Sequence, residues 1–99
     1  MKIPIQKIQE AAHEIMQRAA IEIPTDYKEG IQVLQKTETG KLPRFVIHAM
    51  VDNWEAADQD RRPMCADTGL PRYYVKVGND ALIENGFVAV EHALRKATA

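Results

Sequence analysis

Apolar residues recur every three or four positions in the first part of the chain, which is the spacing of one helix face. Pro4 and Pro24 bracket the first such run. Proline suits the first turn of a helix but disfavours helix in the residue before it, so the helix that carries the apolar face of residues 5–21 is predicted to stop near Glu22 or Ile23. Its inner face would consist of Ile5, Ile8, Ala12, Ile15 and Ala19.

The same spacing predicts two further helices before residue 61. Thr25 or Asp26 can cap the second, because a side-chain oxygen there accepts hydrogen bonds from N–H groups of the first turn. Gly40 is typical of a position just beyond a helix C-terminus. Pro43 would open a third, longer helix that ends near Asp60. The inner faces would carry Tyr27, Ile31 and Leu34 in the second helix, and Ile47, Met50, Val51, Trp54 and Ala57 in the third.

The pattern changes to a period of two at Tyr73, Val75 and Val77, which predicts a short strand. Residues 78–80 would form a turn, followed by a last helix with Ile83, Phe87, Val90 and Leu94 on its inner face. The predicted fold class is α+β and mainly α-helical, with about four helices and one short strand. A single strand leaves its backbone groups unpaired, so its partner would have to come from another chain or from residues beyond these 99.

Composition narrows the classes of function. The chain of 99 residues is sufficient for one domain. With 13 basic and 14 acidic residues, it has no electrostatic footprint for nucleic acid or for a membrane surface. The sequence has 1 cysteine, which excludes an internal disulfide and favours a reducing, cytoplasmic compartment.

That cysteine, Cys65, lies in a segment rich in proline and glycine that predicts a stiff, non-helical loop over residues 61–71. A lone cysteine is most often a small buried residue without chemistry. Here Arg61 and Arg62 precede it, and positive charge favours the thiolate that binds metals. The two arginines could equally balance an anionic site or offset the acidic end of the third helix. The histidines show no paired spacing and are expected at the surface: His13, His48 and His92.

The loop sequence Pro63-Met64-Cys65-Ala66-Asp67-Thr68-Gly69, followed by Val75-Lys76-Val77-Gly78, carries a family resemblance. It resembles the Pro-x-Cys-x-Asp-Thr-Gly segment of class I, iron–sulfur-dependent fumarate hydratases and of L-tartrate dehydratase alpha subunits. The flanking helices are similar to the N-terminal part of those subunits. The resemblance therefore covers nearly the whole chain.

The resemblance implies a role for each residue of the motif. Cys65 would be one of three cysteine ligands to a 4Fe–4S cluster, the other two lying outside this chain. Asp67 would be the acid that protonates the leaving hydroxyl of a 2-hydroxy dicarboxylate. Thr68 and Gly69 would shape the turn. Ala66 stands at the substrate-binding position, where the family often carries glutamine, and this difference leaves open whether the substrate is malate and fumarate, tartrate or another hydroxy acid.

The resemblance also implies partners. Residues 1–99 would be a single N-terminal segment of a hydro-lyase alpha subunit, inactive by itself. It would be completed by the remainder of that subunit and by a beta subunit or C-terminal domain, in a homo- or hetero-oligomer. The alternative is a small helical interaction or regulatory module without catalysis, in which Cys65 binds no metal.

Overall fold

A computed structural model describes residues 1–66 and 69–99. Within them lie four helices: α1 (Ile5–Ile21), α2 (Thr25–Thr37), α3 (Lys41–Asp60) and α4 (Gly86–Thr98). Two short strands, β1 (Lys2–Ile3) and β2 (Leu82–Ile83), complete the regular structure of these ranges. The mainly helical class is confirmed, and α1 ends at Ile21, shortly before the predicted end near Glu22 or Ile23.

The predicted strand over residues 73–77 is wrong. The described strands are β1 and β2, which pair in parallel with Lys2 opposite Leu82 and Ile3 opposite Ile83. Glu84 supports this sheet: its N–H donates to the carbonyl of Ile3 (3.0 Å), and its carboxylate accepts from the N–H of Ile5 (3.0 Å). The second bond satisfies one of the N–H groups that the start of α1 leaves without an intrahelical partner.

Tyr73 shows why the period of two did not produce a strand. Its hydroxyl makes a hydrogen bond with the Thr98 hydroxyl (2.9 Å) and lies 3.4 Å from the sulfur of Met16. Tyr74 and Val75 are exposed. The segment is therefore fixed through a side chain that contacts α1 and α4, without the backbone pairing that a strand requires. The expectation that a strand partner comes from outside the chain no longer has a basis.

The predicted helix ends also need correction. Pro24 precedes α2 without a side-chain cap, and Glu38 ends it in an extended conformation. Gly40 is the residue before α3 and has a negative φ, so it is not a C-terminal glycine of α2. The helix α3 begins before Pro43, which lies in its first turn, where proline is tolerated because the N–H is not needed. The turn near residues 78–80 is confirmed by the bond from the Ala81 N–H to the Gly78 carbonyl, but α4 begins later than predicted because Ile83 lies in β2.

The chain divides into two compact units, Met1–Arg18 with Thr68–Ala99, and Ala19–Asp67. The described buried apolar residues of the first unit are Ala12, Val90, Ala93 and Ala97; those of the second are Ile47, Trp54 and Ala57. Large apolar side chains of the predicted inner faces remain exposed, among them Ile15, Tyr27, Leu34, Met50 and Phe87. Small residues therefore dominate the described core of the first unit, whereas Ile47 and Trp54 fill that of the second, and these exposed side chains have no covering within the described residues.

Exposed apolar surface of this extent should drive association of the isolated chain, since contiguous apolar patches are uncommon on monomeric proteins. We expect light scattering to show a mass that rises above 11.2 kDa with concentration. A chain that stays monomeric at high concentration would contradict this prediction. Among the described helices, none has the length and apolar character needed to cross a bilayer.

Candidate functional site

The C-terminal end of α3 sets the direction in which the chain enters the loop that contains Cys65. Arg61 adopts a left-handed conformation with φ 53°, and its N–H donates to the carbonyl of Ala57. The N–H of Arg62 donates to the same carbonyl (3.0 Å). Bonds of this kind satisfy carbonyls that the last turn leaves without partners and turn the chain sharply away from the helix axis. The chain therefore leaves α3 with a defined direction before Pro63.

The side chain of Arg61 fits one of the two interpretations that the sequence left open. Its guanidinium lies 3.0 Å from a carboxylate oxygen of Glu22 and 3.4 Å from one of Asp58. These contacts offset the acidic end of α3, as one of the two interpretations predicted. All three side chains are exposed, so the pairs contribute at most about 1 kcal/mol each to stability.

Met64 is held from two sides. Its N–H donates to the carbonyl of Ala20 near the end of α1 (3.0 Å), and its own carbonyl accepts from the side-chain amide of Asn53 on α3 (2.9 Å). The backbone N–H and carbonyl of Met64 thus both have hydrogen-bond partners on helices of the same compact unit. The backbone is fixed at the residue immediately before Cys65.

Cys65 and Ala66, the next two residues, are both exposed. The expectation that a lone cysteine is buried does not hold for Cys65, and its role as a metal ligand remains a prediction. Asp67 and Thr68 lie outside the described residues, so their predicted roles remain predictions. Gly69 has a positive φ of 56°, the conformation that the turn was expected to need and that glycine adopts without strain.

The donor set for a metal is partial. No three His, Cys, Asp or Glu side chains among the described residues are grouped so as to hold a metal ion. The predicted histidines are exposed on three different helices. A 4Fe–4S cluster with one open iron needs three thiolates, and Cys65 offers one. The residues present therefore do not fit a complete cluster site, only a single ligand of one.

Each unit also has a concave region. In the first unit, a cavity of about 260 Å³ is lined by Gln6, Gln9, Glu10, His13, Lys96 and Ala97. In the second, an open and mainly apolar groove of about 460 Å³ is lined by Asp26, Tyr27, Gly30, Ile31, Leu34 and Met50. Neither was predicted. The positions that form the groove were assigned to the core because helical spacing cannot tell a buried face from an uncovered one.

Asn53 is the other residue that sequence reasoning missed. It precedes Trp54 in the sequence of α3, is exposed, and no motif marks it. The available signal was a polar amide near the end of a helix that precedes an irregular loop. Asparagine has both amide donors and a carbonyl acceptor, which suits it for bonding the backbone of a neighbouring loop.

Comparison with known proteins agrees with the resemblance seen in the motif. The family profile described as fumarate hydratase (Fumerase) matches residues 9–99. A protein named putative L(+)-tartrate dehydratase subunit alpha, from Methanocaldococcus jannaschii, is 28% identical over 93% of this chain and 33% of its own length. The L(+)-tartrate dehydratase subunit alpha of Escherichia coli K12 is 29% identical over 76% of this chain and 25% of its own length.

The chain thus spans a third or less of the length of these two curated relatives. No solved structure shows a significant match to it. The family profile covers all but the first eight residues, including α2, α3, α4 and the cysteine loop. The chain belongs to the fumarate hydratase (Fumerase) family.

Proposed function

We propose that this chain acts as part of an iron–sulfur-dependent hydro-lyase that hydrates fumarate to malate, or dehydrates a related hydroxy dicarboxylate such as tartrate. The observation that carries the proposal is the exposed Cys65, which follows the anchored Met64 inside the family motif. The family match over residues 9–99 supports the reaction class. The relatives named tartrate dehydratase support a hydroxy dicarboxylate as substrate.

Within this proposal, residues 1–99 form the N-terminal segment of an alpha subunit and contribute one metal ligand and one acid. Cys65 supplies one thiolate, and two further cysteines come from elsewhere in the complete enzyme. A cluster with an open iron provides Lewis acidity toward a substrate hydroxyl. Asp67 holds the proton that the departing hydroxyl needs. Ala66 faces the substrate with a methyl group alone, so other residues select the substrate.

The partners follow from the same proposal. The remainder of the alpha subunit, and a beta subunit or C-terminal domain, complete the site and form the oligomer. The relatives' names, which specify an alpha subunit, support a multi-subunit enzyme. The cytoplasm is the compartment we propose, since thiolate ligands persist in a reducing environment. The apolar faces left open at Tyr27, Leu34 and Phe87 fit a segment that packs against other protein.

Anaerobic iron–sulfur reconstitution of the complete enzyme tests the role of Cys65. We expect Cys65→Ser to lose bound iron and visible absorption together with activity, because removal of a thiolate leaves too few ligands. The matched control is Ala66→Ser, which introduces the same hydroxyl one residue later and should retain the iron. The isolated 99-residue chain should show neither a cluster nor hydratase activity. Full iron content in Cys65→Ser would refute the proposed ligand.

A second candidate is a helical interaction module without catalysis. The open groove beside Tyr27, Leu34 and Met50 favours it, because an apolar concavity of this kind can accept a partner helix. The two candidates differ in one measurement. If this chain only binds a partner, the Cys65→Ser substitution should change neither the iron content nor the turnover of the complete enzyme.

A further inference from the structure

One contact has no role in the proposed chemistry, yet it ends on a residue of the motif, next to Cys65. The side-chain amide of Asn53 donates to the carbonyl of Met64 at 2.9 Å, across 11 residues of sequence. On the other side of Met64, the Ala20 carbonyl accepts the Met64 N–H at 3.0 Å. The loop residue thus has one bond to α3 and one to the end of α1. Both bonds lie inside one compact unit.

From this geometry we infer that Asn53 is a positioning residue for Cys65. It fixes the peptide that joins Met64 to Cys65, because the carbonyl it bonds belongs to that peptide unit. With the carbonyl held, rotation of the peptide plane is blocked, and the Cys65 Cα keeps one position relative to α3. The inference rests on the proposed function only where it states what the positioned thiol is for.

A fixed peptide matters most for an exposed side chain. Cys65 is exposed and lacks the surrounding packing that holds core residues in one rotamer. The hydrogen bonds at Met64 give it order through the backbone. A metal ligand must be presented within a fraction of an ångström of its productive position. Groups that orient a ligand without touching the metal typically change metal affinity by about 10- to 100-fold when they are removed.

The single cysteine makes a direct test simple. A methanethiosulfonate nitroxide label reacts with Cys65 alone, and its electron paramagnetic resonance spectrum reports the motion of that residue. We expect a motionally restricted component in the parent chain and its loss in Asn53→Ala. Asn53→Asp keeps the shape of the side chain but has no N–H donor when ionised, so it should lose the component as well. The control, Asp52→Ala, alters the adjacent exposed residue of α3 and should keep it.

Far-UV circular dichroism of each variant confirms that the helices are intact, so a change in the label spectrum reports the loop and not unfolding. A restricted component that persists in both Asn53→Ala and Asn53→Asp would overturn the inference. Persistence in Asn53→Asp alone would do so too, because side-chain shape, not the hydrogen bond, would then order the loop.

The complete enzyme separates this inference from the proposed function. There, Asn53→Ala should release iron to a chelator at about 10- to 100-fold lower chelator concentration than the parent. Unchanged iron retention would overturn the link between Asn53 and the ligand. If Cys65→Ser also keeps its iron, it is the proposed function that fails, and the label spectra still decide whether Asn53 orders Cys65.

Discussion

Asp67→Asn in the complete enzyme should lower kcat by about 10²- to 10⁴-fold, the range that a general acid typically contributes. Asparagine preserves the size and shape of the side chain but cannot release a proton to the departing hydroxyl. The iron content should not change, because Asp67 is not among the proposed cluster ligands. Steady-state kinetics with malate and with tartrate, together with an iron assay on the same samples, measure both quantities.

A matched control for Asp67 is Asp80→Asn, which removes a carboxylate from the turn that precedes β2 and should leave kcat unchanged. Two outcomes would count against the assignment. Turnover close to the parent value would show that Asp67 is not the acid. Loss of iron equal to that of Cys65→Ser would show instead that the carboxylate shapes the cysteine loop.

The helices were the most predictable part of the fold. The approximate extent of α1 follows from two prolines and a regular apolar face, and the structure has it as Ile5–Ile21, which ends shortly before the predicted stop near Glu22 or Ile23. Helix formation is decided locally by such signals. The caps were less predictable: Thr25 and Gly40 each have a role that differs from the expected one, and Glu38, for which no role was predicted, ends α2. A cap depends on the direction that the chain takes next, which spacing alone does not determine.

The strand failed for a physical reason that the sequence does not reveal. Alternation at Tyr73, Val75 and Val77 describes a half-buried surface, but a strand exists only where a second segment offers its backbone groups. In the structure β1 pairs with β2, which lies far from it in the sequence, although each strand has only two residues. Pairs this short carry no period to detect. The segment around Tyr73 instead uses its hydroxyl to contact Thr98.

The candidate site also has a part that the sequence predicts and a part that it does not. The motif's resemblance to a family segment suggested roles for Cys65, Ala66 and Asp67, and these roles remain predictions. The hydrogen bonds that hold the loop at Met64 correspond to no recognisable sequence pattern. Asn53 and Ala20 are not neighbours of Met64 in the sequence. Their hydrogen bonds to Met64 depend on how α1 and α3 are placed around it. A single sequence identifies the residues that react more readily than the ones that hold them in place.

Trp54→Ala should have the largest effect on stability. Trp54 is 6% exposed and is the largest buried side chain described in the unit of residues 19–67. Truncating a buried tryptophan costs about 3–5 kcal/mol, through lost transfer free energy and the cavity that remains. Whole domains have only about 5–15 kcal/mol of net stability. We therefore expect this unit to be largely unfolded at moderate urea concentrations that the parent tolerates, as measured by circular dichroism at 222 nm, a wavelength standard for helix content.

Phe45→Ala is the control for this experiment, since it removes another aromatic ring from the same helix at a position that is 69% exposed. Surface substitutions away from specific contacts usually change stability by about 0.5 kcal/mol or less. The urea midpoint of Phe45→Ala should therefore stay near that of the parent. Equal losses in the two variants would mean that α3 is packed through Phe45 as much as through Trp54, and the assigned core of this unit would be wrong.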